Sequence, residues 1–339
     1  MKCVVVEEPH KVVLKEKDMQ PLASGFARVK VKACAICATD LEVIDGTIPA
    51  AYPLTPGHEW SGIVTEVADA RYKHMIGKRV TGSNDVVCGE CEACRAGNWR
   101  YCKEFKEIGF KMPGAYAEYV DVPEAGLVEL PDNLPFEQAA LAEPLGVALG
   151  VWQKLRPQFG KTCMIYGAGS IGLCCLMVAK AMGMRKIVVV ATTKNRLETA
   201  KRLGAYATVA TREEDLFAAM KKYHPNGTDY IIEATGIEEC ITNSFKLCAK
   251  GGYVALAGYG RGKTMNIRID DIHVNNMHVV GAGNNWNQHK KAVDMMEDGQ
   301  ADMSVLVSEK IKLEDFEKGL DMVRSRPVGF VKAVFTFDD

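Results

Sequence analysis

The sequence predicts an α/β protein in two parts, a mostly antiparallel β domain followed by a doubly wound parallel-sheet domain. Three observations carry this. Up to about residue 147 the apolar runs are short and β-type, among them KCVVVE, ARVKVKA, WSGIVTEVA and YAEYVDVP, with Gly and Pro turns between them. From about 148 to 287, apolar runs (TCMIYG, KIVVVA, DYIIEATG, GYVALAG, HVVGAG) alternate with helical segments (NRLETAKRLG, REEDLFAAMKKY, ITNSFKLCAKG), the alternation of a parallel sheet with helices on its faces. The length, 339 residues, exceeds what one core usually fills. Two of the helices are expected to close on Gly204 and Gly251. The last fifty residues hold two helices, QHKKAVDMMEDG and one around LEDFEKGLDMV, and a strand, FVKAVFTF; periodicity does not assign them to either domain.

Composition excludes several classes of function. With 47% hydrophobic residues, 25% charged residues and a net charge of -1, the chain has no electrostatic pull towards nucleic acid or anionic membranes. The N-terminus MKCVVVEEPH lacks a signal-peptide apolar region, and the run IGLCCLMVAKAMGM is broken by Lys180 well short of a bilayer span. A cytoplasmic protein without membrane or nucleic-acid partners is expected. In that compartment its 12 cysteines read as reduced thiols and metal ligands, not as a disulfide framework.

Four of them fall in CGECEACRAGNWRYC. Cys88, Cys91, Cys94 and Cys102 are spaced C-x2-C-x2-C-x7-C, close enough for one loop to close a tetrahedron of thiolates around Zn²⁺. Four sulfurs leave no open position, so this site orders a loop and performs no chemistry. A zinc-ribbon nucleic-acid module is disfavoured by the single lobe and the near-neutral charge.

Chemistry needs a second site. ACAICATDLEV places Cys37 two residues before Thr39, and TPGHEWSG places His58 beside Glu59 after a Pro-Gly turn. One thiolate, one imidazole and one carboxylate form the mixed ligand set of a zinc site that keeps a position open. Either residue alone would read as packing; the pairing carries the assignment.

Coenzyme binding rests on YGAGSIG, where Gly167, Gly169 and Gly172, with Ser170 and Ile171 between them, follow the strand TCMIY and open an apolar helix. The glycines serve a tight turn, close approach of a pyrophosphate and close helix packing. Folds that prefer NAD end the second strand with an acid that binds the ribose hydroxyls. Here KIVVVATTKNRL puts Ala191 there, followed by Thr192, Thr193, Lys194 and Arg196. Loss of the carboxylate and a gain of hydroxyls and cations favour NADP(H), with NAD(H) as the alternative; a plain N-cap role for the threonines is the competing explanation.

The segments CAICATD, PGHEWSG, CGECEACRAG, EPLGVALG and GAGSIG, in this order, resemble the zinc-dependent medium-chain alcohol dehydrogenases, in particular the sorbitol and polyol dehydrogenase branch, over essentially the whole chain. The resemblance implies a GroES-like domain at 1–147, completed by the tail at 288–339, around a Rossmann domain at 148–287. It implies one catalytic and one structural zinc per subunit, the catalytic ion among Cys37, His58 and either Glu59 or Glu143. Glu59 is ranked first, and Glu143, just before Pro144, as an exchangeable ligand or a neighbour of the metal. Thr39 is the family position for the first hydroxyl of a proton relay. Many relatives carry a histidine three residues further on; this chain has Glu42, read either as part of proton exit or substrate holding, or as a surface charge. Cys174 and Cys175 read as core, and His273, His278 and His289 as surface or packing residues. Trp60, Phe110, Asn284, Asn285 and Trp286 are candidates for lining the cleft, by analogy of fold alone. The implied reaction interconverts a secondary alcohol and a ketone, on a polyol, sugar alcohol or cyclitol, in a homo-oligomer. Threonine-type or simple secondary-alcohol oxidation and a non-catalytic protein of the same fold are the alternatives.

Overall fold

The computed structural model describes residues 1–283 and 288–338. They form two compact units, one of 1–143 with 288–298 and 302–338, the other of 144–283 with 299–301.

The first unit is built on a seven-stranded sheet in the order Val307–Lys312, Lys332–Thr336, Phe26–Ala35, Glu59–Val67, Arg79–Gly82 and Leu127–Glu129, with Tyr119–Pro123 also paired to Phe26–Ala35. All its pairings are antiparallel except that of Val307–Lys312 with Lys332–Thr336, which are joined through the helix Phe316–Ser325. Phe26–Ala35 is the spine, and its alternating residues Val29 and Val31 enter a core with Trp60, Tyr116 and Phe335. The final strand docks on that spine, Val334 opposite Ala35 and Thr336 opposite Ala33. Each large apolar side chain buried there contributes about 1.5–3 kcal/mol, which is what ties a tail this distant in sequence to the N-terminal sheet.

The second unit holds six parallel strands in the order Ala207–Ala210, Arg185–Ala191, Thr162–Tyr166, Thr228–Glu233, Cys248–Leu256 and His278–Gly281. Numbered along the chain this is 3-2-1-4-5-6, the doubly wound order whose direction of travel reverses between the first and fourth strands. Val188, Val189 and Val190 are fully buried, as a strand covered on both faces requires.

One expected helix end is corrected. The helix Lys194–Arg202 does stop just before Gly204, at a φ of 85°. Gly251, however, ends no helix: Glu238–Leu247 stops four residues earlier, where Cys248 turns extended, and Gly251 lies within the strand Cys248–Leu256. The pairing of that strand with Thr228–Glu233 shifts register there, and the φ of 72° at Gly251 serves this irregularity.

Candidate functional site

Cys37 ends the turn after the spine strand and occupies the N-cap of the short helix Ala38–Ile44. Its backbone N–H donates to Asp40 Oδ2 at 2.8 Å, so the helix start is closed by an acid that also faces the neighbouring strand. His58 and Glu59 lie at the entry of the strand Glu59–Val67, behind Gly57 at a φ of 99°. A Cβ on Gly57 would fall 2.4 Å from the Tyr116 ring, so only glycine lets the chain turn there and deliver His58 towards Cys37.

The donor atoms of Cys37, His58 and Glu59 all lie within 4.8 Å of one another. Glu59 is nearly fully buried, and its Oε2 has no hydrogen-bond partner while Oε1 accepts from Lys332 Nζ. An orphaned carboxylate oxygen beside a thiol and an imidazole is a donor set with room for a cation, and sulfur, nitrogen and oxygen together suit zinc. Glu143, half-buried at the start of the helix Ala142–Leu155, is not in that group. Burial pushes its carboxyl up to about 8, against the opposing pull of His58.

Asp40 lies against the histidine. Its Oδ1 stands 3.1 Å from His58 Nδ1, outside hydrogen-bond geometry, and its Oδ2 accepts the Tyr116 hydroxyl at 2.6 Å. Burial works against the charge on Asp40, but His58, Tyr116 and the Cys37 amide hold its pKa below the usual carboxylate range. Thr39 Oγ1 lies 3.5 Å from Cys37 Sγ, and the Phe110 ring packs 4.9 Å from the His58 ring.

The four sulfurs of Cys88, Cys91, Cys94 and Cys102 also fall within 4.8 Å of one another and form no disulfide. Two of the separations are 3.6 Å (Cys88 to Cys102) and 3.9 Å (Cys88 to Cys94), against an edge of about 3.8 Å for a tetrahedron with Zn–S bonds of about 2.3 Å. The residues fit a closed zinc site. Among the described residues no other group of three or more such side chains meets that test.

In the second unit the glycine turn follows the first strand. Gly167 has a φ of 117°, and a Cβ on Gly172 would sit 1.9 Å from Gly167 O. A Cβ on Gly169 would meet nothing within 4 Å, so that edge of the turn is open, at the N-terminus of the helix Ser170–Ala181 where an anion is favoured. Ser170 Oγ is buried there without a partner. Thr193 is the N-cap of the helix Lys194–Arg202, yet its side chain makes no capping bond, so plain capping does not account for it.

The alcohol dehydrogenase GroES-like domain family matches residues 23–132, and the zinc-binding dehydrogenase family matches 170–298. The chain is 31% identical over 340 aligned residues to L-threonine 3-dehydrogenase of Chelativorans sp. strain BNC1, covering 98% of each. The chain belongs to the zinc-dependent medium-chain alcohol dehydrogenases. As a member of that family it is an oxidoreductase acting on a CH–OH group. D-arabinitol dehydrogenase 1 of Uromyces fabae is 27% identical, over 96% of this chain and 95% of the relative. The NADP-bound structure described as a zinc-binding dehydrogenase of Sinorhizobium meliloti 1021 superposes with a TM-score of 0.91 at 30% identity, over 99% of each chain. The fold is therefore that of the family, a GroES-like domain and a Rossmann sheet. Among the described residues no helix is long and apolar enough to cross a membrane.

Other expectations divide. Cys174 and Cys175 are fully buried; His289 is buried, while His273 and His278 are exposed, His278 stacking on Tyr253. Trp60 lines no opening: it is 1% exposed, its indole donating to Asn84 Oδ1 at 2.8 Å inside the core. The surface reading of Glu42 is overturned, since its residue is 9% exposed on the helix behind Cys37. Asn284, Asn285 and Trp286 lie outside the described residues. Asp40, Tyr116 and Lys332 were not legible as site residues. Asp40 alone left a local signal, standing three residues after Cys37 at a helix start.

Proposed function

We propose that this dehydrogenase interconverts a secondary alcohol and a ketone with NADP(H), on a polyol, sugar alcohol or cyclitol. The observation that carries the chemistry is the convergence of Cys37, His58 and Glu59 within 4.8 Å, with one buried glutamate oxygen unclaimed. In this reading those three residues hold one Zn²⁺, with Glu143 as an exchangeable ligand, and Cys88, Cys91, Cys94 and Cys102 hold another. When bound, zinc would supply a Lewis acid for the substrate oxygen and the nicotinamide coenzyme would supply the hydride acceptor.

The remaining work belongs to the chain. Asp40 places its carboxylate 3.1 Å from His58 Nδ1, held there by the Tyr116 hydroxyl and the Cys37 amide, and so sets a negative charge beside the imidazole. Lys332 occupies one oxygen of Glu59 and so presents the other. The Thr39 hydroxyl, beside Cys37, takes the substrate proton and passes it outward. Gly167, Gly169, Ser170, Ile171 and Gly172 receive the pyrophosphate; Thr192, Thr193, Lys194 and Arg196 receive the 2′-phosphate.

The substrate class leans on Glu143 and on the likeness to an arabinitol dehydrogenase. A second reading, oxidation of a threonine-like amino alcohol, is favoured by the Chelativorans relative. A panel of polyols, cyclitols, L-threonine and simple secondary alcohols, each with NADP+ and NAD+, separates them. The proposal expects kcat/KM at least about tenfold higher on a polyol or cyclitol than on L-threonine, and higher with NADP+. The reverse order on substrates moves the enzyme to the threonine type, and a preference for NAD+ removes the coenzyme assignment. The proposal also carries a homo-oligomer in the cytoplasm; light scattering on the purified protein tests the first.

A further inference from the structure

Glu213 follows the third strand of the parallel sheet, Ala207–Ala210, and reaches back to the start of the helix Lys194–Arg202. Its Oε2 stands 2.5 Å from Lys194 Nζ, and its Oε1 accepts the Lys194 backbone N–H at 3.4 Å. One carboxylate thus serves both the ammonium and the first amide of the helix, the two groups that an anion at a helix N-terminus would take. Thr193, beside it, leaves its hydroxyl out of capping, and Ala191 stands where an acid would otherwise hold the ribose. The pocket assigned above to a 2′-phosphate therefore already contains an anion, supplied by a neighbouring strand and invisible to any motif at residues 191–196.

We propose that Glu213 is a coenzyme-specificity residue: its carboxylate holds Lys194 in the free protein, competes with the 2′-phosphate for that ammonium and helix start, and so limits the preference for NADP(H) over NAD(H). The inference rests on the coenzyme reading given under Proposed function. The pair is suited to such a role because it is weak. The side chains of Lys194 and Glu213 are 66% and 40% exposed, so water screens the bond and a dianionic phosphate can displace it. What remains after displacement is the repulsion between the freed carboxylate and the phosphate. NAD(H), with a neutral ribose, meets neither cost. The adjacent Glu214 provides a control, since its Oε1 is turned to the Ala210 amide at 3.3 Å.

The test is a calorimetric titration of the intact protein with 2′,5′-ADP and with 5′-AMP, in the wild type, Glu213→Gln and Glu214→Gln. Glu213→Gln is expected to tighten 2′,5′-ADP about fivefold at low salt, to leave 5′-AMP within about twofold, and to lose most of the gain at about 0.5 M salt. An unchanged ratio of the two affinities in Glu213→Gln, or an equal gain in Glu214→Gln, overturns the role of Glu213. The coenzyme reading is judged separately by the wild-type ratio: if 2′,5′-ADP binds no tighter than 5′-AMP in the wild type and in Glu213→Gln alike, that reading fails as well.

Discussion

Lys332 Nζ donates to Glu59 Oε1 across 273 residues of sequence, with both side chains almost fully buried, and donates also to Ile36 O at 3.2 Å. The last strand of the chain thereby reaches the candidate metal centre and pairs with one of its candidate ligands. Burial works against this ammonium, yet Glu59 and then Cys37 hold its pKa above the usual lysine value.

Removing one partner of a buried ion pair leaves the other charge without compensation. In the metal-free, chelator-treated protein, Lys332→Met is expected to cost about 3–5 kcal/mol of stability, seen as a lower midpoint of chemical denaturation. The double variant Lys332→Met/Glu59→Gln should regain part of the loss. A single variant as stable as the wild type would remove this ion pair as a contributor to stability.

The two cysteine sites should separate by metal content. Wild-type protein is expected to hold about two zinc ions per subunit, and Cys37→Ser about one, with turnover abolished and the fold retained. Cys102→Ser should lose the other ion and lower thermal stability, because the loop at 88–102 then lacks its tetrahedron. Elemental analysis with circular dichroism reads both; full activity in Cys37→Ser removes the proposed chemistry.

The Asp40 carboxylate stands 3.1 Å from His58 Nδ1, so its loss should appear first in metal affinity. Asp40→Asn keeps the size of the side chain but not its charge, and zinc affinity measured by competition with a chelator is expected to fall about 10- to 100-fold. An unchanged affinity would reduce Asp40 to the helix-start partner of Cys37.

His289 provides a pH test outside the metal centre. Burial pushes its imidazole down to about 4, below the ordinary value of about 6.5. The unfolded chain therefore binds this proton at a higher pH than the folded one does. The stability contributed by the neutral ring is complete above about pH 6.5 and is lost as pH falls towards 4, by roughly 3 kcal/mol in all. Denaturation curves across that range should fall less steeply in His289→Gln than in the wild type; parallel curves would assign the acid loss elsewhere.

What was legible in the sequence is what neighbouring residues dictate together. The thiolate spacing at 88–102, the Gly167 to Gly172 turn and the alternation of apolar runs with helices each lie within one stretch of chain, where backbone geometry alone decides who meets whom. On that basis the sequence determined the two-part α/β fold, the family likeness and the pairing of Cys37 with His58 and Glu59 as a candidate ligand set. Tertiary structure decided which charges face those residues. Lys332 on Glu59, Asp40 and Tyr116 around His58, and Glu213 on Lys194 arise because the tail strand docks on Phe26–Ala35, the turn at Gly57 closes on Tyr116, and parallel strands bring the ends of separate loops together. The same cause explains the misplaced expectations: Glu42, Trp60 and Gly251 were judged from their own neighbourhoods, whereas burial and strand register are set by partners distant in the chain.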